Sequence, residues 1–283
     1  MPDLSDVSLI IKTFEREDAL RRLLRSIREC DYDGCPVLIA DDSRTPYRDA
    51  ILADFDDIVD RYLRLPFDSG VSRGRNALLE EVETPYFVIN DDDFVYDERT
   101  DLAWMLDQLQ TADLDILGGL VHEPRYPESL DWTAPIESLR RIYRRLTGPS
   151  GEISRDWRGR LDRSGSTLRL EKSNDWTPPF VRCDFTLQFF LARTAPLRDS
   201  VGGWAEELKC FGEHWEFFYR VKRAGLEVAF TQEVGVRHVP RSNPDYDAHR
   251  YAREEEDMRK ALDLHDLDVI EFHRPGGVRR FES

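Results

Sequence analysis

Three consecutive carboxylates, Asp91, Asp92 and Asp93, follow the apolar run Tyr86–Asn90. A run of that kind after Pro85 reads as a buried strand, so the acids stand at a strand's carboxyl end. Three like charges side by side repel one another. A hard divalent cation, Mg²⁺ or Mn²⁺, would compensate them through oxygen ligands and leave positions for phosphate. A solvated acidic loop that caps the next helix would use the same residues. A second group, Glu213, His214 and Glu216, opens a helical pattern that runs to Ala224, with Gly225 in the C′ position. Carboxylates there can serve as a base, or merely complement the helix dipole. The two glutamates stand at i and i+3, a spacing that lets both face one side.

Other polar groups end other apolar runs. Thr13 follows Val7–Ile11, and the pair Asp41–Asp42 follows Val37–Ala40. Tyr62–Leu65 is a shorter strand, and Ser69–Gly70 opens a helix reaching about Glu81. Between the first two strands, Leu20, Leu23, Leu24 and Ile27 recur at helical spacing behind Glu15, Glu17 and Asp18. Strand and helix in alternation imply an α/β fold, a mostly parallel sheet with helices on both faces. In such sheets ligands gather at the strands' carboxyl ends, where all of these polar groups fall. A helix at Leu102–Leu109 and a strand at Ile116–Val121 continue the pattern.

The regular pattern then breaks. Residues 124–180 are rich in Pro, Gly, Ser and Trp and read as an irregular insertion. Within it, residues 136–172 hold ten basic and five acidic side chains, a net of +5 in a chain of net −16. Leu139–Leu146 has the pattern of an amphipathic helix, either an ordinary surface helix or a contact to an anionic acceptor or membrane surface. Phe185–Ala192 reads as a buried strand, Val201–Trp204 as a turn, and Leu226–Phe230 and Val234–Val239 as two short strands. The second of these carries His238. A charged helical pattern from Tyr246 to about Asp263 closes the chain as a helical appendage.

With 283 residues, 40% apolar and 11% aromatic, the chain has ample core for one large domain. A net charge of −16 argues against general nucleic-acid binding. Arginine supplies 35 of the 40 basic residues, a bias that suits a high-salt cytoplasm or a GC-rich genome. The four cysteines, Cys30, Cys35, Cys183 and Cys210, form no CxxC pair, so a reduced setting is expected. No apolar run approaches the roughly 20 residues of a membrane span. With no basic start and long apolar core at the N-terminus, a cytoplasmic location is expected, with peripheral contact at the inner membrane face the option that the basic 136–172 segment raises.

The segments VSLIIKTFERED, LRRLLRSI, VLIADDS, GVSRGRNALLE, VINDDDF, FGEHWEFFYRVKRAGLEVA and VRH, in that order, resemble inverting nucleotide-sugar glycosyltransferases of the GT-A fold in the broad family-2 group. They lean toward the β-1,4-N-acetylgalactosaminyltransferase-like branch, where a His-x-Glu-Phe-Phe pattern matches HWEFF. The likeness runs from about Val7 to Pro240 with a gap over 124–180. It implies a GT-A domain over residues 1–240 and a helical extension over 241–283.

The roles that follow are those the resemblance implies. A UDP-sugar donor would place its uracil near Thr13 and one of Asp41 and Asp42, and its diphosphate or ribose near Arg73, Arg75 and Asn76. Asp91 and Asp93 match the outer acids of the metal-binding (DxD) motif, Asp92 a ribose contact, and His238 a further ligand to the divalent metal. Glu213, His214 and Glu216 stand where the family keeps its base. The usual aspartate of that motif is here His214, so Glu213 is the first candidate, Glu216 the second, and His214 the third or the orienter. Trp204, after Gly202–Gly203, suits stacking on an acceptor sugar, though a Trp after a turn is equally a core residue. The reaction would transfer a sugar to a glycan or lipid-linked acceptor. Two alternatives stay open: a sugar-nucleotide-binding protein without turnover, and a sugar nucleotidyltransferase, against which stands the lack of a Gly-rich, basic loop at the first strand.

Overall fold

The structure, a computed structural model, describes residues 3–32, 34–125, 151–240, 253–274 and 276–283. The first half alternates as the apolar spacing predicts: β1 (Val7–Thr13), α1 (Glu17–Glu29), β2 (Val37–Asp41), α2 (Arg48–Phe55), β3 (Val59–Arg64), α3 (Val71–Glu81) and β4 (Tyr86–Asp91). Then come β5 (Phe94–Val95), α4 (Leu102–Thr111), β6 (Ile116–Arg125), β7 (Gly151–Arg155), β8 (Gly159–Ser164), β9 (Thr167–Lys172), β10 (Val181–Cys183) and β11 (Phe190–Arg193). The chain closes with α5 (Glu213–Arg223), β12 (Val228–His238), α6 (Glu254–Asp263), β13 (Val269–Arg274) and β14 (Gly277–Glu282).

Among the described residues the main sheet runs β10-β12-β6-β11-β4-β1-β2-β3, with β5 on β12 and β7 on β6. The β4-β1-β2-β3 half is parallel. Antiparallel β11 enters between β4 and β6, so the sheet as a whole is mixed. Side chains alternate across each strand, and this sheet is apolar on both sides. Leu9 and Ile11 of β1 join one buried cluster with Leu20, Leu23, Leu24 and Ile27 of α1. Ile10, between them, joins the other cluster with Leu78 of α3 and Phe217 of α5. Full burial of each such side chain contributes about 1.5–3 kcal/mol, which is why β1 and β2 carry no exposed residue at their centres.

Four readings from the sequence differ from the structure. Of Phe185–Ala192, Phe185 makes an isolated bridge to Gly159, Thr186–Phe189 cross toward the cleft without pairing, and the strand begins at Phe190. The two short strands after Leu226 are one, β12, broken in register between Phe230 and Gly235. The second half of the insertion is largely strand rather than irregular, with β8 and β9 forming a hairpin. The C-terminal segment is not helical throughout. After α6 it turns into the β13–β14 hairpin, and β13 pairs in parallel with β9. The Leu139–Leu146 pattern and residues 241–252 lie outside the described residues. Among the described residues no helix is long and apolar enough to cross a membrane.

Candidate functional site

A cavity of about 790 Å³ opens where β1, β2 and β4 end, within the size range of ligand pockets. Of the residues singled out from sequence, Asp42, Arg75, Asp91, Asp93, Glu213, His214 and His238 line it. Thr13, Asp41, Arg73, Asn76, Asp92, Trp204 and Glu216 do not.

At the strand ends, neighbouring acids divide between two jobs because successive residues point opposite ways. Asp91 reaches the cleft, half-exposed. Asp92 is fully buried and accepts a hydrogen bond from Thr13 Oγ1 at 2.7 Å, while Arg16 pairs with its other oxygen. Burial pushes Asp92 up to about 6, against the pull of Arg16. Asp92 and Thr13 therefore brace the strand ends from behind the cleft wall. Asp93 returns to the cleft and binds Arg16 Nη1 at 2.6 Å.

The Asp41–Asp42 pair divides in the same way. Asp41 is turned inward, accepting from Ser43 N–H at 2.8 Å and Tyr62 O–H at 2.9 Å. Asp42 faces the cleft edge, ion-paired with Lys12 and accepting Gly70 N–H at 2.9 Å. Gly70 caps α3 at φ +96, and a Cβ there would meet the Lys209 backbone at 2.8 Å, so this turn needs glycine.

On α3, Arg75 is buried and its Nη2 donates to Asp91 Oδ1 at 3.2 Å. Its Nη1 lies 3.7 Å from Glu213 Oε1, too far for a hydrogen bond, and is a buried donor without a partner. An orphaned guanidinium N–H facing a cleft is a place for an oxyanion. Arg73, two residues earlier, is exposed on the outer face of the helix. Asn76 is occupied elsewhere: its amide donates to Trp204 O at 2.8 Å and accepts from Trp204 N–H at 2.7 Å. That clamp holds the 202–206 turn against α3. Trp204 itself stacks on Phe217 with centroids 4.6 Å apart and is buried, a core residue and not a sugar platform.

Glu213 stands at the start of α5, where Gly212 turns the chain at φ +78. It lines the cleft and accepts from Gln188 Nε2 at 2.9 Å. His214, also in the cleft, is pushed down to about 4 by burial first and by the nearby Arg75 charge second, against a hydrogen bond to the Thr186 backbone. It is a neutral imidazole at neutral pH. Glu216 leaves the cleft entirely. Arg220 holds it through Nε at 2.6 Å and Nη2 at 2.9 Å, and His265 Nε2 lies 2.9 Å away. These partners keep its carboxylate ionised, lowered despite burial. The spacing that lets two glutamates share a face is overridden here by Arg220 one turn along α5 and by His265 just past the end of α6.

Several site residues carried no local signal. Gln188 lies in a stretch that reads as plain strand. Arg16 looks like one more charge before α1. Glu123 anchors His238, accepting or sharing a hydrogen bond with Nδ1 at 2.6 Å. His238 Nε2 lies 3.2 Å from Asp93 Oδ2. Burial alone would lower this histidine, but the hydrogen bonds and charges of Asp93 and Glu123 raise it to about 9. Asp257 on α6 is buried and accepts N–H groups from Cys210 at 3.0 Å and Phe211 at 3.2 Å, fixing the loop before Glu213.

Does this donor set suit a divalent ion? Among the described residues no three His, Cys, Asp or Glu side chains close a cage of their own. A metal completed by substrate phosphates needs only one or two protein ligands. Asp93 and His238 converge on one point of the cleft wall, with Glu123 orienting the imidazole from its far nitrogen, the outer-shell arrangement of metal-bound histidines. The residues fit. Asp93 and His238 would hold the ion, with Asp91 beside them.

An open mixed sheet with acids at its strand ends and a helix-borne carboxylate across the cleft is the GT-A glycosyltransferase arrangement. The solved fold of S. aureus TarS residues 1–349 with UDP-GlcNAc matches at a TM-score of 0.59 and 16% identity, over 91% of this chain and 64% of that one. GalNAc-T7 with UDP, GalNAc and Mn²⁺ matches at 0.60 and 13% identity, over 91% of this chain and 47% of that one. Residues 8–164 match the family described as Glycosyl transferase family 2, and the chain belongs to that family. Human β-1,4 N-acetylgalactosaminyltransferase 1 is 34% identical over 252 residues, 87% of this chain. Mouse β-1,4 N-acetylgalactosaminyltransferase 2 is 38% identical over 120 residues, 42% of this chain and 22% of that protein. The chain spans 42% of the length of the human relative.

Proposed function

We propose that this chain is a metal-dependent, inverting glycosyltransferase that moves an N-acetylhexosamine from UDP to an acceptor hydroxyl on a glycan or lipid-linked glycan. The observation that carries the reading is one cleft with two chemically distinct walls. Asp93 and His238 form an end suited to a metal–diphosphate, and Arg75 lies between that end and Glu213, reaching Asp91 on one side and within 3.7 Å of Glu213 on the other. The choice of sugar rests on the names of the relatives, one of them a third identical over most of this chain.

The residues divide the work. Arg75 would present its unpartnered Nη1 to a phosphate oxygen. A bound divalent ion would neutralise charge growing on the departing UDP. Glu213 would take the acceptor O–H proton as that oxygen forms its bond to the anomeric carbon, the bond to UDP breaking on the opposite face. The departure from the usual acidic pair at His214 does not leave the cleft without a base. Neutral His214 would border the acceptor oxygen and hold no competing charge.

The test is a thermal-shift and UDP-release panel with UDP-GalNAc, UDP-GlcNAc, UDP-Glc, UDP-Gal and UDP-GlcA, each with Mn²⁺, Mg²⁺ or EDTA. A ligand at 100 times its Kd stabilises by about 2.7 kcal/mol, so binding registers even without turnover. Asp93→Ala is expected to abolish the metal-dependent shift while the protein stays folded. Metal-independent binding, or full turnover in that variant, would overturn the metal assignment.

A further inference from the structure

The cleft does not end at Glu213. Its far wall is the second sheet, β14-β13-β9-β8, and that wall has a composition the transfer chemistry does not use. In the β13–β14 ladder Phe272 pairs with Arg279, Ile270 with Phe281 and Arg274 with Gly277. Alternation therefore puts Phe272, Arg274, Arg279 and Phe281 on one face, and all four line the cleft. Trp157 and Arg155 join them there.

Arg274 lies over the Trp157 ring at 4.5 Å and the Phe272 ring at 5.8 Å. Its ladder partner is Gly277, which has no side chain to cover it. Arg279 lies over Phe281 at 4.4 Å. Arg155 and Arg279 each have a carboxylate, Glu123 at 2.5 Å and Glu254 at 2.6 Å. Among the described residues Arg274 has none. Burial, and then the charges of Arg279 and Arg155, lower it from its ordinary value; all three arginines line this part of the cleft, two of them paired to an acid, with the Lys172–Asp156 pair beside them. In a chain of net −16 that local excess is unusual. A planar guanidinium laid on an aromatic ring is preorganised to fork onto a carboxylate or phosphate, and the ring edges offer an apolar face beside it.

We infer that the face formed by Trp157, Phe272, Arg274, Arg279 and Phe281 is an acceptor subsite for a saccharide that carries an oxyanion, with Arg274 as its principal contact. This inference rests on the proposed transferase reading and adds the charge class of the acceptor. The hairpin that supplies four of the five residues lies beyond residues 8–164, the part matched by the family; Trp157 lies within it. Carboxylate and phosphate share the chemistry, and binding separates the two sources.

The full chain, saturated with UDP and Mn²⁺ at low salt, would be titrated with matched probes, and binding read by tryptophan fluorescence, for which Trp157 is a built-in reporter. The pairs are a glucose-terminated against a glucuronate-terminated disaccharide, and mannose against mannose 6-phosphate. At least one acidic member is expected to bind tenfold or more tighter than its neutral partner, and the winning pair names the anion. In Arg274→Gln that preference should shrink to within about twofold, and Arg279→Gln should weaken it less. Equal binding of acidic and neutral members, no binding of either acidic probe, or an unchanged preference in Arg274→Gln overturns the subsite. A separate titration with UDP reads the donor end. If UDP fails to bind, the transferase reading fails instead.

Discussion

The two glutamates at the head of α5 should behave oppositely when each becomes glutamine. Glu213→Gln keeps shape and keeps a group that Gln188 can hydrogen-bond, but removes the proton acceptor from the cleft. General base catalysis is worth roughly 10²- to 10⁴-fold, and at about 1.36 kcal/mol per decade that raises the barrier by about 3–5 kcal/mol. Folding should change little, because Arg75 is only within 3.7 Å and makes no hydrogen bond to Glu213. Glu216→Gln leaves the cleft intact and strips a buried carboxylate from Arg220, which donates at 2.6 and 2.9 Å, and from His265. Breaking a buried ion pair from one side costs about 3–5 kcal/mol of stability. The assay is paired: urea midpoints for stability, and UDP release per folded molecule for turnover, with the donor saturating. The expected result is a hundredfold or greater loss of kcat with a near-native midpoint for Glu213→Gln, and near-native kcat with a large midpoint shift for Glu216→Gln. The reverse pattern, or a Glu213→Gln enzyme within threefold of wild type, would refute the assignment of the base.

His214 is held near 4 in the folded state against about 6.5 for a free histidine, so the unfolded chain binds its proton first on acidification. Stability from this residue is complete above about pH 6.5 and lost as pH falls toward 4, by up to about 3 kcal/mol. His214→Gln should flatten the midpoint-versus-pH curve in that window. Gly70→Ala should cost at least about 1–2 kcal/mol and weaken UDP binding, since φ is +96 and the added carbon meets the Lys209 backbone at the cleft edge; thermal melts and UDP titration check it. Asp257→Ala orphans the Cys210 and Phe211 N–H groups and should lose about 1–3 kcal/mol, with kcat falling more than UDP affinity because the loop before Glu213 is what moves; kcat and Kd for UDP, measured together, test this.

The half of the fold that is buried on both faces was written openly in the sequence. Strands such as β1 and β4 must be apolar along their whole length, and α1 must repeat its leucines at 3.6, because two clusters cover one sheet. Where pairing comes from distant segments, local pattern says less. Thr167–Lys172 and Val269–Arg274 each alternate modestly and find their meaning only in each other, a hundred residues apart. The site divides similarly. Sequence order placed the polar groups at one sheet edge, but it could not say which of two adjacent acids looks outward. Asp42 faces the cleft and Asp41 does not, Asp91 and Asp93 do and Asp92 does not. Glu216 left the cleft because His265, 49 positions later, arrives to bind it. Arg75 was separated from Arg73 only by the register of a helix.

The β9–β13 pairing also sets an order of events. Synthesis runs from N- to C-terminus, and the strands of the parallel half, β1 to β4, all lie within residues 7–91. The histidine that faces Asp93 comes 145 positions later, on β12, which pairs with β6 and carries the edge strand β10. The far wall of the cleft waits longer still, for β13 and β14. Such late, distant contacts are slow to form. A folding chain could therefore shape the ends of β1, β2 and β4 well before the β13–β14 hairpin adds the opposite wall of the cleft.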